Sequence, residues 1–280
     1  MATLDAGVRT GRMLIYRHSL AVRLSHWVNV LCMTVLLFSG LQIFNAHPAL
    51  YWGQYGADGD PSFISIQAIG DGGQASGLTH IGPLTFDTTG ILGLSEVDGE
   101  ADARAFPSWL TLPSYQDLAG GRRWHFFFAW LFVINGLVYL VSGLVTRHFR
   151  RDLLPARDEL TAAHIGREIA DHARLRFLKG QEARHYNTLQ KLAYVAVIFL
   201  LLPLMILTGL TMSPGFNAIA PWLIDVFGGR QSARTLHFLA AFSLVAFVAV
   251  HIAMVVVSGV FNNLRSMITG YYAIRQGDQP

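Results

Sequence analysis

The chain has 280 residues, of which 52% are hydrophobic and only 14% are charged. Soluble domains carry about 25% charged residues, so this composition excludes an ordinary soluble domain. The single cysteine, Cys32, excludes intrachain disulfides and an iron–sulfur cluster bound by this chain alone. The net charge of +3 says little as a total, and its distribution along the chain is more informative.

Four apolar segments each reach the ~20 residues that a membrane-spanning helix needs. They lie at residues 24–44, 122–146, 188–212 and 234–262. The connecting segments are residues 45–121, 147–187 and 213–233, and the tails are residues 1–23 and 263–280. The N-terminal tail lacks the features of a cleaved secretory signal. We therefore predict an all-α protein, a four-transmembrane-helix bundle in the bacterial inner membrane.

The charges of the segments predict which side of the membrane each one occupies. Residues 1–23 contain four arginines and one acidic residue, and residues 147–187 contain nine lysines and arginines. Residues 45–121 contain nine acidic residues and one basic residue. Because basic segments stay in the cytoplasm, we predict that both termini are cytoplasmic and that residues 45–121 form an extra periplasmic segment.

Each long connection has a predicted structure. Residues 45–121 are rich in Gly, Asp, Thr and Ser and include stretches typical of short strands and turns. We expect an ordered cap that helps to dock a partner, with a poorly ordered loop as the alternative. In residues 147–187, the spacing of the apolar residues is that of a surface amphipathic helix. Within the third span, Pro203 is expected to cause a kink.

Two histidines lie on one side of the fourth span. His237 and His251 are 14 residues apart, which places them roughly 21 Å apart along a helix and about 40° apart around it. Each therefore lies near one edge of a bilayer core about 30 Å thick. Histidine inside a spanning helix is costly and usually marks a site.

The predicted topology pairs these histidines with two others. His26 lies at the cytoplasmic depth of His251, and His125 lies at the periplasmic depth of His237. Two neutral imidazoles opposed across an apolar gap suit the axial positions of a b-type haem. We predict two haem b groups, one for each pair. The sequence has no C-x-x-C-H motif, which excludes covalent attachment.

Other assignments of the histidines remain open at this point. His18 lies two turns before His26 and is an alternative ligand. Zinc or copper would need three or four ligands at one depth, whereas the sequence offers two histidines at each level. Four unrelated histidines at helix ends are the remaining alternative.

Arginines and small residues accompany the histidines. Arg122, Arg123 and Arg234 lie at the level of the periplasmic pair, and arginine pairs well with carboxylates such as the two haem propionates. Interfacial anchoring is compatible with the same positions. Each span also contains a hydroxyl–glycine dipeptide, which lets a helix or a flat ring approach closely. The dipeptides are Ser39-Gly40, Ser142-Gly143, Thr208-Gly209 and Ser258-Gly259.

Four stretches resemble the membrane cytochrome b subunits of respiratory formate dehydrogenases. They are RLSHWVNVLCMTVLLFSG, GGRRWH, HYNTLQK and RTLHFLAAFSLVAFVAVH. The wider relatives are the b-type cytochromes of nickel–iron hydrogenases and of thiosulfate reductase. The resemblance covers all four spans and the connection to the third, and it implies the same two histidine pairs.

The resemblance also implies a quinone site beside the haem of the cytoplasmic pair. The residues that would help to form it are Tyr186, Asn187, Gln190 and Lys191. The chain departs from the family in its longer segment 45–121 and in Leu189, where the family has a glycine. These departures concern the identity of the partner and the details of the quinone pocket.

We therefore predict a dihaem b-type cytochrome, the membrane anchor and electron-transfer subunit that links a periplasmic oxidoreductase to the quinone pool. The partner would be a molybdoenzyme, a hydrogenase or an iron–sulfur protein, since the sequence contains no nucleotide fingerprint or cluster ligands. The alternatives are a stand-alone cytochrome of the b561 type and a haem-free membrane anchor or transporter. We also expect quinone and membrane lipid as partners, and no nucleic acid.

Overall fold

The computed structural model of the chain describes residues 12–57, 59–70, 74–174 and 187–275. The helices are α1 (Leu20–Phe44), α2 (Leu118–Val145), α3 (Ala162–Ala173), α4 (Thr188–Ala196), α5 (Leu202–Thr211), α6 (Pro214–Ile219), α7 (Trp222–Val226), α8 (Arg230–Val257) and α9 (Val260–Thr269). The strands are β1 (Arg12–Tyr16), β2 (Ala49–Leu50), β3 (Ile64–Ile69), β4 (Ser76–Ile81), β5 (Leu84–Asp87), β6 (Ser95–Val97), β7 (Glu100–Asp102) and β8 (Tyr271–Arg275). The fold is mostly helical, as predicted.

Four helical stretches are long and apolar enough to cross a membrane: α1, α2, α8 and the stretch Thr188–Thr211 that contains α4 and α5. Three of them begin four residues before the predicted start, at Leu20, Leu118 and Arg230. Hydropathy marks only the part of a helix inside the hydrocarbon core, and the helix continues into the headgroup region. The fourth span ends early because Gly259, with φ +110°, adopts the left-handed conformation that ends a helix.

The third span is interrupted near its middle. A π-helical turn, Val197–Leu201, separates α4 from α5, and Pro203 follows it directly. Proline has no N–H to donate to the preceding turn, and single π-turns are a common cause of helix kinks. The irregularity that Pro203 predicts therefore begins one turn before it.

Residues 45–121 form an ordered segment with the short strands that the sequence predicts. Strands β2, β3, β4 and β5 make an antiparallel sheet in that order, and β6 pairs with β7. The end of α1 closes the core of this segment, since Leu41 and Phe44 pack with Leu50, Ile64 and Phe106. Its periplasmic location stays a prediction.

Parts of both predicted tails have regular structure. Within residues 1–23 and 263–280, β1 and β8 pair antiparallel, and α9 precedes β8. Each of these short apolar strands supplies the backbone partners that the other lacks. Arg23 Nη1 and Trp27 Nε1, both on α1, donate to the carbonyl oxygens of Ile268 and Met267 at 2.7 and 3.1 Å. These bonds supply partners for carbonyl oxygens in the last turn of α9, which helices leave without partners of their own.

The two other connections contain helices in their described parts. In residues 147–187, α3 corresponds to the predicted amphipathic helix, and a π-helical turn spans Phe149–Leu153. Residues 213–233 contain the short helices α6 and α7. The described helical turns pair backbone polar groups within each connection.

The chain divides into two compact units. One comprises Met1–Trp27, Leu137–Leu200 and Val245–Pro280, and the other comprises Val28–Gly136 and Leu201–Leu244. The first contains His26 and His251, and the second contains His125 and His237.

Candidate functional site

The structure contains two pairs of facing histidines, one in each unit. The ring centroids of His26 and His251 are 6.4 Å apart, and those of His125 and His237 are 6.3 Å apart. The ring planes are inclined by 54° in the first pair and 59° in the second. All four side chains are half-buried. The structure thus brings together both pairs that the predicted topology joined.

The spacing of each pair fits two imidazoles bound on opposite sides of one metal ion. A bond from imidazole to a metal is about 2 Å long, and the ring nitrogen lies roughly 1.15 Å from the ring centre. Two coaxial rings on one iron would have centres about 6.3 Å apart. The observed separations of 6.3 and 6.4 Å agree with that value. The residues present therefore fit the axial positions of a haem.

A buried hydroxyl contacts each histidine of the His125/His237 pair. Ser39 Oγ, on α1, lies 3.1 Å from His125 Nδ1, and Thr208 Oγ1, on α5, lies 3.0 Å from His237 Nδ1. Ser39 and Thr208 are both fully buried. Hydrogen bonds to the ring nitrogen that does not face the metal are the usual means of orienting a histidine ligand.

The glycine after each hydroxyl lies against the same histidine. A Cβ added to Gly40 would lie 3.4 Å from His125 Cε1, and one added to Gly209 would lie 3.4 Å from His237 Cε1. Two of the four hydroxyl–glycine dipeptides in the sequence therefore form matching cradles. The sequence shows the dipeptides as small packing residues, and the contact between their hydroxyls and the histidines is a structural finding.

The His26/His251 pair has different surroundings. Among the described residues, Nδ1 of His26 is buried without a hydrogen-bond partner. The ring of Phe247, one turn before His251 on α8, stacks on His251 with centroids 6.0 Å apart. Tyr194 of α4 contacts Phe247 edge-on at 6.3 Å. This pair is therefore framed by aromatic rings.

Two of the alternative assignments can be compared with the structure. His18 is buried, and the ring that faces His251 belongs to His26. Burial, and next the charge of Arg17, lower the pKa of His18 to about 4, so its ring is neutral near pH 7. Within residues 12–57, 59–70, 74–174 and 187–275, no three His, Cys, Asp or Glu side chains are grouped as around a zinc or copper ion.

Two of the arginines predicted to bind propionates lie exposed on α2. The guanidinium of Arg122 lies 5.6 Å from the ring centre of Phe126, and Arg123 Nε donates to the carbonyl oxygen of Ala119 at 3.4 Å. Both side chains are exposed. Their contact with a propionate stays a prediction.

Arg234 has a well-defined structural role. Its guanidinium donates to the carbonyl oxygen of Ala49 at 2.7 Å and to that of His47, and it lies 5.6 Å from the ring centre of Phe44. The next residue, Thr235, donates from Oγ1 to the carbonyl oxygen of Tyr51 at 2.6 Å. The start of α8 is therefore bonded to the segment that follows α1.

The residues predicted to bind quinone cap and anchor α4. Asn187 is the N-cap: its side chain accepts from the N–H of Gln190 at 2.8 Å, and the side chain of Gln190 accepts from the N–H of Asn187. Lys191 Nζ lies 2.8 Å from both carboxylate oxygens of Glu159. Tyr186 lies outside the described residues. A quinone contact for all four stays a prediction.

The chain is similar to known membrane proteins. It is 27% identical over 250 residues to YedZ1 of Azospira oryzae, a proposed subunit of a protein-methionine-sulfoxide reductase, and the match covers 89% of this chain and 94% of YedZ1. No solved structure matches the chain significantly. The family model described as prokaryotic cytochrome b561 matches residues 17–270. The chain therefore belongs to the prokaryotic cytochrome b561 family of haem b proteins, and it is a multi-pass electron-transfer protein of the bacterial inner membrane.

Proposed function

We propose that this cytochrome holds two haem b groups and carries electrons between the quinone pool and a periplasmic redox protein. The observation that supports it best is the geometry of the histidines. In each unit, two rings from different helices stand at the separation expected for two imidazoles on one iron. When bound, haem b supplies reversible one-electron chemistry at each pair.

Each histidine pair has a defined task in this proposal. His26 and His251 hold one iron, and His125 and His237 hold the other. An iron held by both histidines of a pair would have no position left for oxygen, which favours electron transfer over oxygen chemistry. The family binds haem b, so the alternative of a haem-free anchor or transporter loses its support.

The quinone is assigned from the resemblance, and the partner from the relative YedZ1. We place quinone beside the His26/His251 pair, where the resemblance assigns it to Tyr186, Asn187, Gln190 and Lys191. YedZ1 is described as a reductase subunit, which supports a second protein as the electron donor or acceptor. The ordered sheet in residues 45–121 supplies a surface on which such a partner could dock.

Haem content tests the proposal directly. A pyridine haemochrome assay of purified protein should give two haems b per chain. His26→Ala and His251→Ala should each lose one haem, and His125→Ala and His237→Ala should each lose the other. One haem in the wild type, or loss of both haems in every variant, would contradict two independent sites.

A stand-alone b561-type cytochrome is the second candidate. It is favoured by the family match itself, which is to cytochrome b561 rather than to a dehydrogenase subunit. Mild solubilisation of native membranes separates the two: a stoichiometric redox subunit that co-purifies supports the anchor. A chain that purifies alone and exchanges electrons with quinol and a small soluble acceptor supports the stand-alone cytochrome.

A further inference from the structure

Ser39 and Thr208 occupy matching positions in the unit that contains the His125/His237 pair. Each is fully buried, each precedes a glycine, and each places its hydroxyl oxygen at hydrogen-bond distance from one histidine Nδ1. This two-fold repetition on two helices is the observation from which the inference starts.

The direction of these hydrogen bonds follows from the second contact of each hydroxyl. Ser39 Oγ lies 2.6 Å from the carbonyl oxygen of Val35, and Thr208 Oγ1 lies 2.6 Å from that of Leu204. A carbonyl oxygen can only accept, so each hydroxyl donates its proton there. The hydroxyl oxygen is then left to accept from the histidine ring, beside the backbone carbonyl of Leu36 for His125 and that of Met205 for His237. Both rings are thereby held in the tautomer whose Nε2 has a free lone pair for a metal.

The other hydroxyl–glycine dipeptides have different neighbours. Ser258 donates to the carbonyl oxygen of Met254 at 2.6 Å and accepts from Asn263. A Cβ on Gly143 would overlap the ring of Phe149. In the other pair, Nδ1 of His26 is buried and meets no acceptor among the residues that the structure describes. The paired hydroxyl contacts are therefore a feature of His125 and His237.

We propose that Ser39 and Thr208 are positioning residues that fix the two rings and make the haem of the His125/His237 pair the lower-potential one. This inference rests on the proposed function, since it needs a haem at both pairs. A histidine whose Nδ1–H is donated to a fixed acceptor is a stronger electron donor to its metal. Stronger donation favours ferric over ferrous iron, and so lowers the reduction potential. Electron transfer from this pair to the His26/His251 pair is then downhill.

Redox titration of the purified haem-loaded protein tests this assignment. Thr208→Val keeps the shape of the side chain and removes the hydroxyl, and Ser39→Ala removes the hydroxyl with the smallest loss of volume. The wild type should titrate in two steps. Both variants should raise the midpoint potential of the lower step and leave the upper step in place. Thr208→Ser should keep the wild-type potential, and the matched control Ser258→Ala should shift neither step.

A second readout reports ring orientation. The ferric low-spin electron paramagnetic resonance signal of one haem should change in Thr208→Val and Ser39→Ala, because each loses the bond that fixes its ring, and should be restored in Thr208→Ser. Unchanged potentials in both variants, a shift of the upper step, or an equal shift in Ser258→Ala would overturn the inference. If one variant fails to fold, the other still decides. Fewer than two haems in the wild type would instead contradict the proposed function itself.

Discussion

Replacing Arg234 distinguishes a structural role of this side chain from the predicted contact with a haem propionate. The guanidinium donates to two backbone carbonyl oxygens, those of His47 and Ala49, and packs against Phe44. Arg234→Met keeps most of the apolar stem and removes both hydrogen bonds and the charge. We expect this variant to loosen the attachment of residues 45–121 to the start of α8.

The expected size of the effect follows from these contacts. A hydrogen bond from a charged donor is worth about 1.5–3 kcal/mol, and a cation–π contact at a partly exposed site about 0.5–1 kcal/mol. Because the side chain is half-buried and the backbone can relax, we expect a loss of roughly 2–4 kcal/mol for the substitution. A loss of 2 kcal/mol would raise the population of the opened segment roughly 30-fold.

Trypsin provides the assay, because Arg104 is the one lysine or arginine between residues 45 and 121. In the folded segment, Arg104 bonds Asp102 at 2.5 Å and donates to the carbonyl oxygen of Ser114 at 2.8 Å. Cleavage after Arg104 therefore reports opening, and its rate follows the open population when closing is fast. Arg234→Met should accelerate this cleavage, whereas the control Arg122→Met should cleave at the wild-type rate.

The two roles of Arg234 give different results in this assay. A cleavage rate in Arg234→Met equal to that of the wild type and of Arg122→Met would refute the reasoning from the hydrogen bonds. Loss of haem at an unchanged cleavage rate would assign Arg234 to propionate binding instead. Arg234→Lys adds a check, because lysine keeps the charge and lacks the planar fork that reaches both carbonyls.

Two further predictions concern stability. Burial, and next the charge of Arg17, lower the pKa of His18 to about 4 in the folded protein. As the pH falls, the unfolded chain therefore takes up this proton before the folded protein does. The free energy of unfolding should decrease by roughly 3 kcal/mol between pH 6.5 and 4. His18→Gln should remove this part of the pH dependence of the thermal midpoint, and an unchanged profile would contradict the assignment. Gly229 has φ +117°, and an added Cβ would overlap the backbone of Gly53, whereas at Gly228, with φ +72°, the nearest atom would be 3.9 Å away. Both alanine variants carry roughly 1–2 kcal/mol of backbone strain, and only Gly229→Ala adds the clash with Gly53. Gly229→Ala should therefore lower the thermal midpoint further than Gly228→Ala, and equal shifts would exclude the clash.

The spanning helices and the family could be predicted from the sequence because their signals are local. A run of about 20 apolar residues usually forms a membrane-spanning helix. The structure contains four helical stretches of this kind. The resemblance to membrane b-type cytochromes is confirmed by the family match over residues 17–270. The helix ends were less accurate, since they depend on single residues such as Gly259.

The features that the sequence did not reveal depend on contacts between distant residues. β1 and β8 come from opposite ends of the chain, and neither five-residue stretch signals its partner. The same holds for Ser39 and Thr208, because four similar dipeptides occur and only the rotation of each helix decides which one meets a histidine. The opposite holds for the motif that contains Asn187, Gln190 and Lys191. The sequence shows the motif, but the contacts that cap and anchor α4 are seen only in the structure.

The differences between the two histidine pairs suit different electron-transfer partners. Around His125 and His237, two buried hydroxyls and two glycines hold the rings, and the start of α8 is bonded to an ordered sheet segment. A fixed environment reduces the reorganisation that accompanies a change of charge, which would suit exchange with the periplasmic redox protein that we propose. Around His26 and His251, aromatic rings frame the site and a buried nitrogen meets no acceptor in the described residues. We propose quinone as the mobile carrier beside this pair, and the higher potential that we infer there would draw electrons toward it.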